Sequence, residues 1–350
     1  MNQAAPTLGQ LGNPFSQTFN VPVYDFKNNQ TALVTLTSGG NPALLKEEQR
    51  DIKLSANWQL PIKNSNLIVE YFRNRSTNVS ASFPLLTPDI EAAFPGRVKR
   101  DPLTGRLTEI DQRPVTFARQ EGSRLRFGFN TNGGFGKVDD GNAPAAPIPG
   151  MGRGGGGGRP AGAGPRSGGG GGRGGGGGMA GLFGAGPGGQ PGRWSIGVFD
   201  TVQLQSRVLV TPGGPVLDLL DGDALSGGGT PRNTIEFNGG LFYKGLGGFF
   251  QGTWSAPTTV KASGLPGTSD LRFGSVANVN LFLFLDFNQK PKLIKQVPFL
   301  KGSRLTFRIE NLLGQRQRVT DASGQVPISY QPDYLDPRGR VITLQFRKAF

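Results

Sequence analysis

A chain whose side chains alternate between apolar and polar at every second position folds as extended strands with two unlike faces. The pattern is clearest at 340–350, which reads RVITLQFRKAF. Ile342, Leu344, Phe346 and Phe350 fall on one side of an extended chain, and Val341, Thr343, Gln345, Arg347 and Ala349 on the other. A strand of about ten residues with this alternation suits a tilted membrane-spanning barrel strand. It also suits an edge strand of a soluble sheet, so a single segment does not decide between them.

Repetition of the pattern shifts the balance. Alternating segments occur at 19–26, 31–38, 49–59, 66–75, 123–130, 194–210, 232–243, 247–254, 271–287, 304–313 and 340–350. They predict about eleven strands and an all-β chain. In 123–130, Leu125, Phe127 and Phe129 oppose Arg124 and Arg126. An arginine facing lipid costs about 2–4 kcal/mol at mid-membrane, so the arginines should face a polar lumen. Pro22 weakens the first segment as a strand, and the prolines of 76–120 predict no sustained strand there. Lys244-Gly245-Leu246 predicts a tight hairpin. Connections near Gly40 and at 76–120, 211–231, 257–270 and 314–338 should lie on one side and be mostly long, with shorter ones near Lys27, Pro61, Lys244 and Pro291 opposite. Long outer loops and short periplasmic turns are a barrel pattern. The same parity places the Gly-rich segment on the short-turn side.

Composition agrees with strands and excludes several chemistries. Hydrophobic residues are 35% of the chain and 57 of its 350 residues are Gly, little material for one large core, yet there are 24 Phe. No run approaches the ~20 apolar residues of a membrane helix, which leaves a barrel open. With no Cys and no His, there is no disulfide, thiolate site, imidazole base or His-ligated metal. The expectation is therefore no enzyme, no cofactor and no metal site. The formal charge of +14 is scattered through the chain and reads as solvated surface.

The domain reading is 1–140 as barrel strands with a long outer loop, 141–192 as a Gly/Arg/Pro-rich insert, and 193–350 as further barrel strands. The insert has too little apolar surface to offset its ordering entropy and is expected to be disordered. Its Arg and Gly runs also suit RNA-binding segments, but Phe183 is its one aromatic, so a linker is favoured and no nucleic acid is expected. The amino-terminal residues MNQAAPTLGQLGNPF have no signal-peptide pattern, and an exported barrel would then be a fragment or have a misassigned start.

Other candidate sites read as structural. Asp218, Asp221 and Asp223 lack the spacing of a calcium loop and suit an Asp-Gly turn. Glu109, Asp111 and Asp101 sit among Arg97, Arg100, Arg106 and Arg113 and should pair with them rather than act as a glycosidase pair. Gly245, Gly247 and Gly248 lie in a hairpin and are no dinucleotide fingerprint. Tyr71, Trp194, Tyr243 and Trp254 read as membrane-interface anchors.

Residues 304–350 resemble the carboxy-terminal end of TonB-dependent outer-membrane receptors. Ile309-Glu310-Asn311-Leu312-Leu313 is similar to the family's penultimate strand, with Leu313 in place of an aromatic. Tyr330-Gln331-Pro332-Asp333-Tyr334-Leu335-Asp336-Pro337-Arg338-Gly339-Arg340 resembles the approach to its last strand, and Phe350 its terminal Phe. The segments 83–88, 194–210 and 216–222 resemble the same family. The signature residues are thus Asn311, Tyr330, Pro332, Tyr334, Asp336, Pro337, Gly339 and Phe350.

The resemblance implies an antiparallel transmembrane β-barrel portion in the outer membrane of a Gram-negative bacterium, roughly half of a barrel of about twenty-two strands. It implies uptake of a scarce ligand of the siderophore, vitamin or saccharide class. Implied partners are membrane lipid and lipopolysaccharide, the TonB complex through a missing amino-terminal part, the outer-membrane assembly machinery through Phe350, and an unidentified small molecule. No plug or TonB box is recognisable, so the strands would not close a transporter alone. The alternatives are a passive barrel or surface adhesin, and a Gly/Arg-rich RNA-binding protein.

Overall fold

The computed structural model describes residues 2–62, 64–136, 192–261 and 270–349. Its elements are strands joined by a few helices of six residues or fewer. The main sheet is eleven-stranded. In spatial order it runs β1 (Asn2–Ala4), β4 (Glu47–Gln59), β5 (Ser65–Ala81), β8 (Val115–Phe135), β9 (Gly192–Leu209), β11 (Asn233–Tyr243), β12 (Leu246–Ser255), β15 (Val276–Asp286), β16 (Ser303–Glu310) and β18 (Val341–Lys348). A short β10 (Val216–Asp218) pairs with the end of β9, and every pairing in this sheet is antiparallel.

Two small sheets lie beyond one end of it. One has the order β2 (Ser16–Asp25), β3 (Gln30–Ser38), β7 (Leu107–Asp111), β6 (Val98–Arg100), and the other β13 (Thr258–Val260), β14 (Leu271–Phe273), β17 (Val319–Thr320). They are built from the long connections, and together these form a cap.

The sorting of connections follows the predicted parity, with corrections. The β4–β5, β11–β12 and β15–β16 connections lie at one end, where β8 ends and β9 begins. Lys244 and Gly245 form a two-residue turn with φ of 45° and 83°, the left-handed pair that suits the twist of a hairpin. The expected barrel hairpin at 19–38 is instead β2–β3 of the cap, so the Lys27 turn is not at the short-turn end. Pro22 has no N–H to donate and sits in β2, at the edge of its sheet. The expected break at 76–120 is shorter than predicted, because β5 continues to Ala81 and β8 begins at Val115. The expected strand 271–287 divides into β14 in the cap and β15 in the main sheet.

The register of the main sheet is staggered. A row of directly opposed partners starts at Ser65, the first residue of β5 at the short-turn end. It runs through Thr131, Ile196, Gly239, Phe250, Leu281 and Ile309 to Ile342, at the long-connection end of β18. Strands displaced steadily in this way tilt relative to the row that links them, as barrel closure requires.

Both clusters of buried apolar side chains belong to the cap and the strand ends that enter it. One gathers Val34, Ile90, Ile110, Phe117, Val208 and Val210, among others. The other gathers Tyr24, Phe26, Val260, Leu271, Phe273, Val319 and Tyr330. Arg100 fastens three cap segments. Its guanidinium donates to both oxygens of Asp25 at 2.8 and 2.9 Å and to both oxygens of Glu91 at 2.8 Å. Asp25 is only 2% exposed. Burial alone would raise its pKa, but hydrogen bonds from Arg100, the Arg100 charge and the Asn28 amide outweigh this and hold it below the usual value.

Removing one charge from such a buried cluster leaves the rest uncompensated. Asp25→Asn is expected to weaken the cap by about 3–5 kcal/mol, read as faster amide hydrogen exchange in β2, β6 and residues 88–93. Because the folded pKa is lowered, the wild-type contribution is full above the ordinary Asp value of about 4 and declines as pH falls through the lowered value. The Asp25→Asn variant should lack that part of the acid sensitivity; an unchanged acid profile would contradict the assignment.

Candidate functional site: the two faces of the sheet

The cross-strand pairings place the alternating side chains of all nine long strands into register. One face carries Leu54 and Trp58, then Leu67 and Val69, Phe127 and Phe129, Ile196 and Val198, Phe237 and Leu241, Phe250 and Trp254, Leu281 and Leu283, Leu305 and Phe307, and Leu344 and Phe346. No second layer covers it among the described residues. Leu344 is 68% exposed, Leu54 63% and Phe346 46%. Contiguous exposed apolar surface on this scale is not a feature of soluble monomers.

The belt has borders. Beyond Tyr71 the same side of β5 carries Arg73 and Arg75, and Arg75 pairs with Glu121 at 3.3 Å. At the other end lie Trp194 and Tyr243, the latter stacked on Phe135 with centroids 5.6 Å apart. On β9 the apolar phase runs from Trp194 to Val202, ahead of a register shift against β8. At ~3.3 Å per residue this is roughly 26 Å along the strand, or about 20 Å along an axis inclined by ~40°. That height approaches the ~25 Å apolar band of membrane barrels.

Asp200 breaks the belt. Its register partners are Phe127 and Ile235, and its Oδ1 is buried without a hydrogen-bond partner among the described residues.

The opposite face is mixed, with charged and amide side chains set among Phe72, Phe199, Phe242, Phe249, Phe282 and Phe284, and Arg124 and Arg126 lie on it as the alternation predicted. Arg126 pairs with Glu236 two strands away at 2.8 Å and lies 4.4 Å from the centre of the Phe199 ring. Lys53 pairs with Glu70 at 2.7 Å. Arg193 lies over Phe242 and Arg304 over Phe284. From the short-turn end of β4 and β5 to the middle of β12 and β15 runs a row in strict register: Gln59, Asn66, Asn130, Gly197, Asn238, Gln251 and Asn280. A Cβ on Gly197 would come within 2.8 Å of Asn130 Oδ1 and 3.0 Å of Asn238 Oδ1, so these amides close over bare backbone. Sequence reading missed this row, because each amide is ordinary in its own strand and the row exists only through register.

The family-signature residues do not converge on one site. Asn311 terminates β16 with φ of 51° and donates from Nδ2 to the Gln315 carbonyl at 2.9 Å. Tyr330 is buried in the cap against Phe273, edge to face at 5.5 Å; burial, then the neighbouring Tyr24, push its hydroxyl up to about 12. Pro332 opens the helix Pro332–Leu335, which includes the exposed Tyr334. Asp336 accepts from the Gly339 amide at 3.1 Å across Pro337, and Gly339 has φ of 56°. These are turn-forming roles in the approach to β18. Phe350 lies outside the described residues, as does nearly all of the 141–192 segment.

The remaining candidates have structural partners. Asp218 accepts from Arg207 at 2.9 Å, Asp223 from the Asp218 amide at 2.6 Å, and Asp221 pairs with Lys261 at 3.0 Å. Glu109 pairs with Lys99, Asp111 with Arg97 and Arg113, and Asp101 accepts from the Leu103 and Thr104 amides. Among the described residues no cluster of acidic side chains is arranged to hold a metal.

No protein-family model and no curated protein matches the chain. Among solved structures it is similar to the siderophore receptor PirA from Acinetobacter baumannii, at 14% identity and a TM-score of 0.43, over 99% of this chain and 38% of that one. It is similar to a ferric enterobactin receptor mutant, PfeA Q482A from Pseudomonas aeruginosa in complex with enterobactin, at 14% identity and 0.41, over 98% and 37%. The outer membrane transporter YddB from Escherichia coli is matched at 10% identity and 0.44, over 95% and 37%. The chain thus spans under two fifths of the length of each. Identities and TM-scores this low assign no function.

A buried carboxylate oxygen without a partner, such as Oδ1 of Asp200, costs about 1–3 kcal/mol. Asp200→Val is therefore expected to stabilise the detergent-solubilised chain by about that amount, read as a higher urea midpoint. Destabilisation would show that Asp200 has a partner role.

Proposed function

We propose that this chain forms the embedded wall of an outer-membrane β-barrel receptor, contributing carboxy-terminal strands to a TonB-dependent uptake barrel. The observation that carries this reading is the apolar belt, about 20 Å tall on β9 and interrupted there at Asp200, with no covering layer among the described residues while the opposite face carries the charged and amide side chains. The barrel-type stagger and the gathering of long connections at one end support it.

In this reading lipid and lipopolysaccharide surround the belt, and the polar face with its amide row and its Arg–Phe pairs lines a hydrated lumen. The long connections form the outer, ligand-meeting surface. The open edge of β18 and that of β4 beyond its short pairing with β1 would join further strands, because unpaired backbone groups are costly in lipid. The resemblance of 304–350 extends the proposal to a scarce ligand and to coupling with the TonB complex.

The three tryptophans, Trp58, Trp194 and Trp254, all lie on the apolar face, which makes the reading testable without mutation. With the chain reconstituted in lipid vesicles, brominated acyl chains are expected to quench their fluorescence strongly and aqueous iodide weakly. Strong iodide quenching with no effect of brominated lipid would sink the membrane assignment.

A further inference from the structure

The β13–β14–β17 sheet of the cap has a core side and an open side. Val260, Leu271, Phe273 and Val319 pack into the buried cluster around Tyr24 and Tyr330. The alternation therefore turns Thr259, Arg272 and Thr320 the other way, as directly opposed partners across three strands. Arg318 joins them one step along, where its carbonyl accepts from the Gly274 amide at 2.9 Å. These residues, with Pro257, line an open cavity of about 310 Å³. Gly274 lies between the two arginines in register, and its missing side chain leaves the space between them.

Two guanidinium groups on neighbouring strands repel unless something neutralises them. Elsewhere in the cap Arg97, Arg100, Arg113, Arg207 and Arg316 each meet a carboxylate. Among the described residues Arg272 and Arg318 have no ion pair and no side-chain hydrogen bond. The nearest acid in sequence, Asp270, acts on Lys261 and does not line the cavity. Residues 262–269 contain no Asp or Glu. A strand floor with hydroxyls and two exposed fork-shaped donors that have no ion pair among the described residues is suited to a planar or tetrahedral oxyanion.

We propose that this groove binds an anion carrying carboxylate or phosphate groups, with Arg272 and Arg318 as the charged clamp and Thr259 and Thr320 as flanking hydroxyls. Nothing in the groove depends on whether the main sheet lies in lipid. The anion can belong to a soluble molecule or to a lipid headgroup, and the chemistry is shared.

The full chain in non-ionic detergent is titrated calorimetrically at low salt with citrate, with inorganic phosphate, and with phosphatidylglycerol added to the micelles. Saturable binding is expected for at least one of these probes, with none for glucose. Arg272→Gln and Arg318→Gln should each weaken it at least tenfold. Gly274→Asp should abolish it by placing a carboxylate between the guanidiniums, where a Cβ has ordinary room, while Gly274→Ala leaves most of it. Circular dichroism of each variant controls for folding. Citrate or phosphate binding assigns a soluble ligand, and arginine-dependent binding of phosphatidylglycerol alone assigns a headgroup. No saturable binding of any probe by wild type, or binding that survives the double arginine variant, overturns the proposal.

Discussion

The constraint on which the architecture depends is the demand of backbone amides and carbonyls for partners where no water reaches them. Nine long strands meet it by pairing continuously from β4 to β18, which frees their side chains to take opposite roles on the two faces. An ordinary sandwich would place a second sheet or helices against the apolar side. Here Leu54, Phe127, Leu241 and Leu344 project from it with no such layer among the described residues. Among the described residues this face is not stabilised by apolar burial, and under the proposed reading a bilayer would supply the missing apolar medium.

The cap follows different physics. Its segments cross one another, bury Val34, Ile110, Phe117, Leu271 and Val319, and hold their charges in pairs such as Arg100 with Asp25 and Glu91. That is how a water-exposed assembly stabilises irregular backbone: a small apolar core, with polar groups satisfied locally. The contrast between the two regions gives the chain an inside-out sheet topped by a conventionally packed cluster. Arg272 and Arg318 have no ion pair among the described residues, unlike Arg97, Arg100 and Arg113.

Strand phase was legible in the sequence because period-two alternation survives wherever one face is apolar; Leu125, Phe127 and Phe129 against Arg124 and Arg126 needed no structure. Sheet membership was not legible. The 19–26 and 31–38 segments alternate like barrel strands, yet Val34 and Tyr24 point into a cap core that forms only when connections distant in sequence assemble. Prolines at 84, 88, 95, 102 and 114 marked a loop correctly but overstated its length, since Val79 and Phe117 are held in strand by pairing with each other and by burial. The amide row escaped for a related reason. Register is a property of pairs of strands, so ordinary Asn and Gln residues become a feature only once their neighbours are known.

The central claim is most directly tested by the accessibility of β9 in lipid, and the absence of native cysteine makes single labelling sites simple to introduce. Nitroxide labels placed one at a time from 194 to 202 in the reconstituted chain would report collisions with oxygen, which concentrates in the bilayer, and with a water-soluble nickel chelate. The expected result is a period of two, with even-numbered positions favouring oxygen and odd-numbered positions favouring nickel. Equal access of the nickel chelate to both sets would contradict the placement of this sheet between lipid and a hydrated lumen.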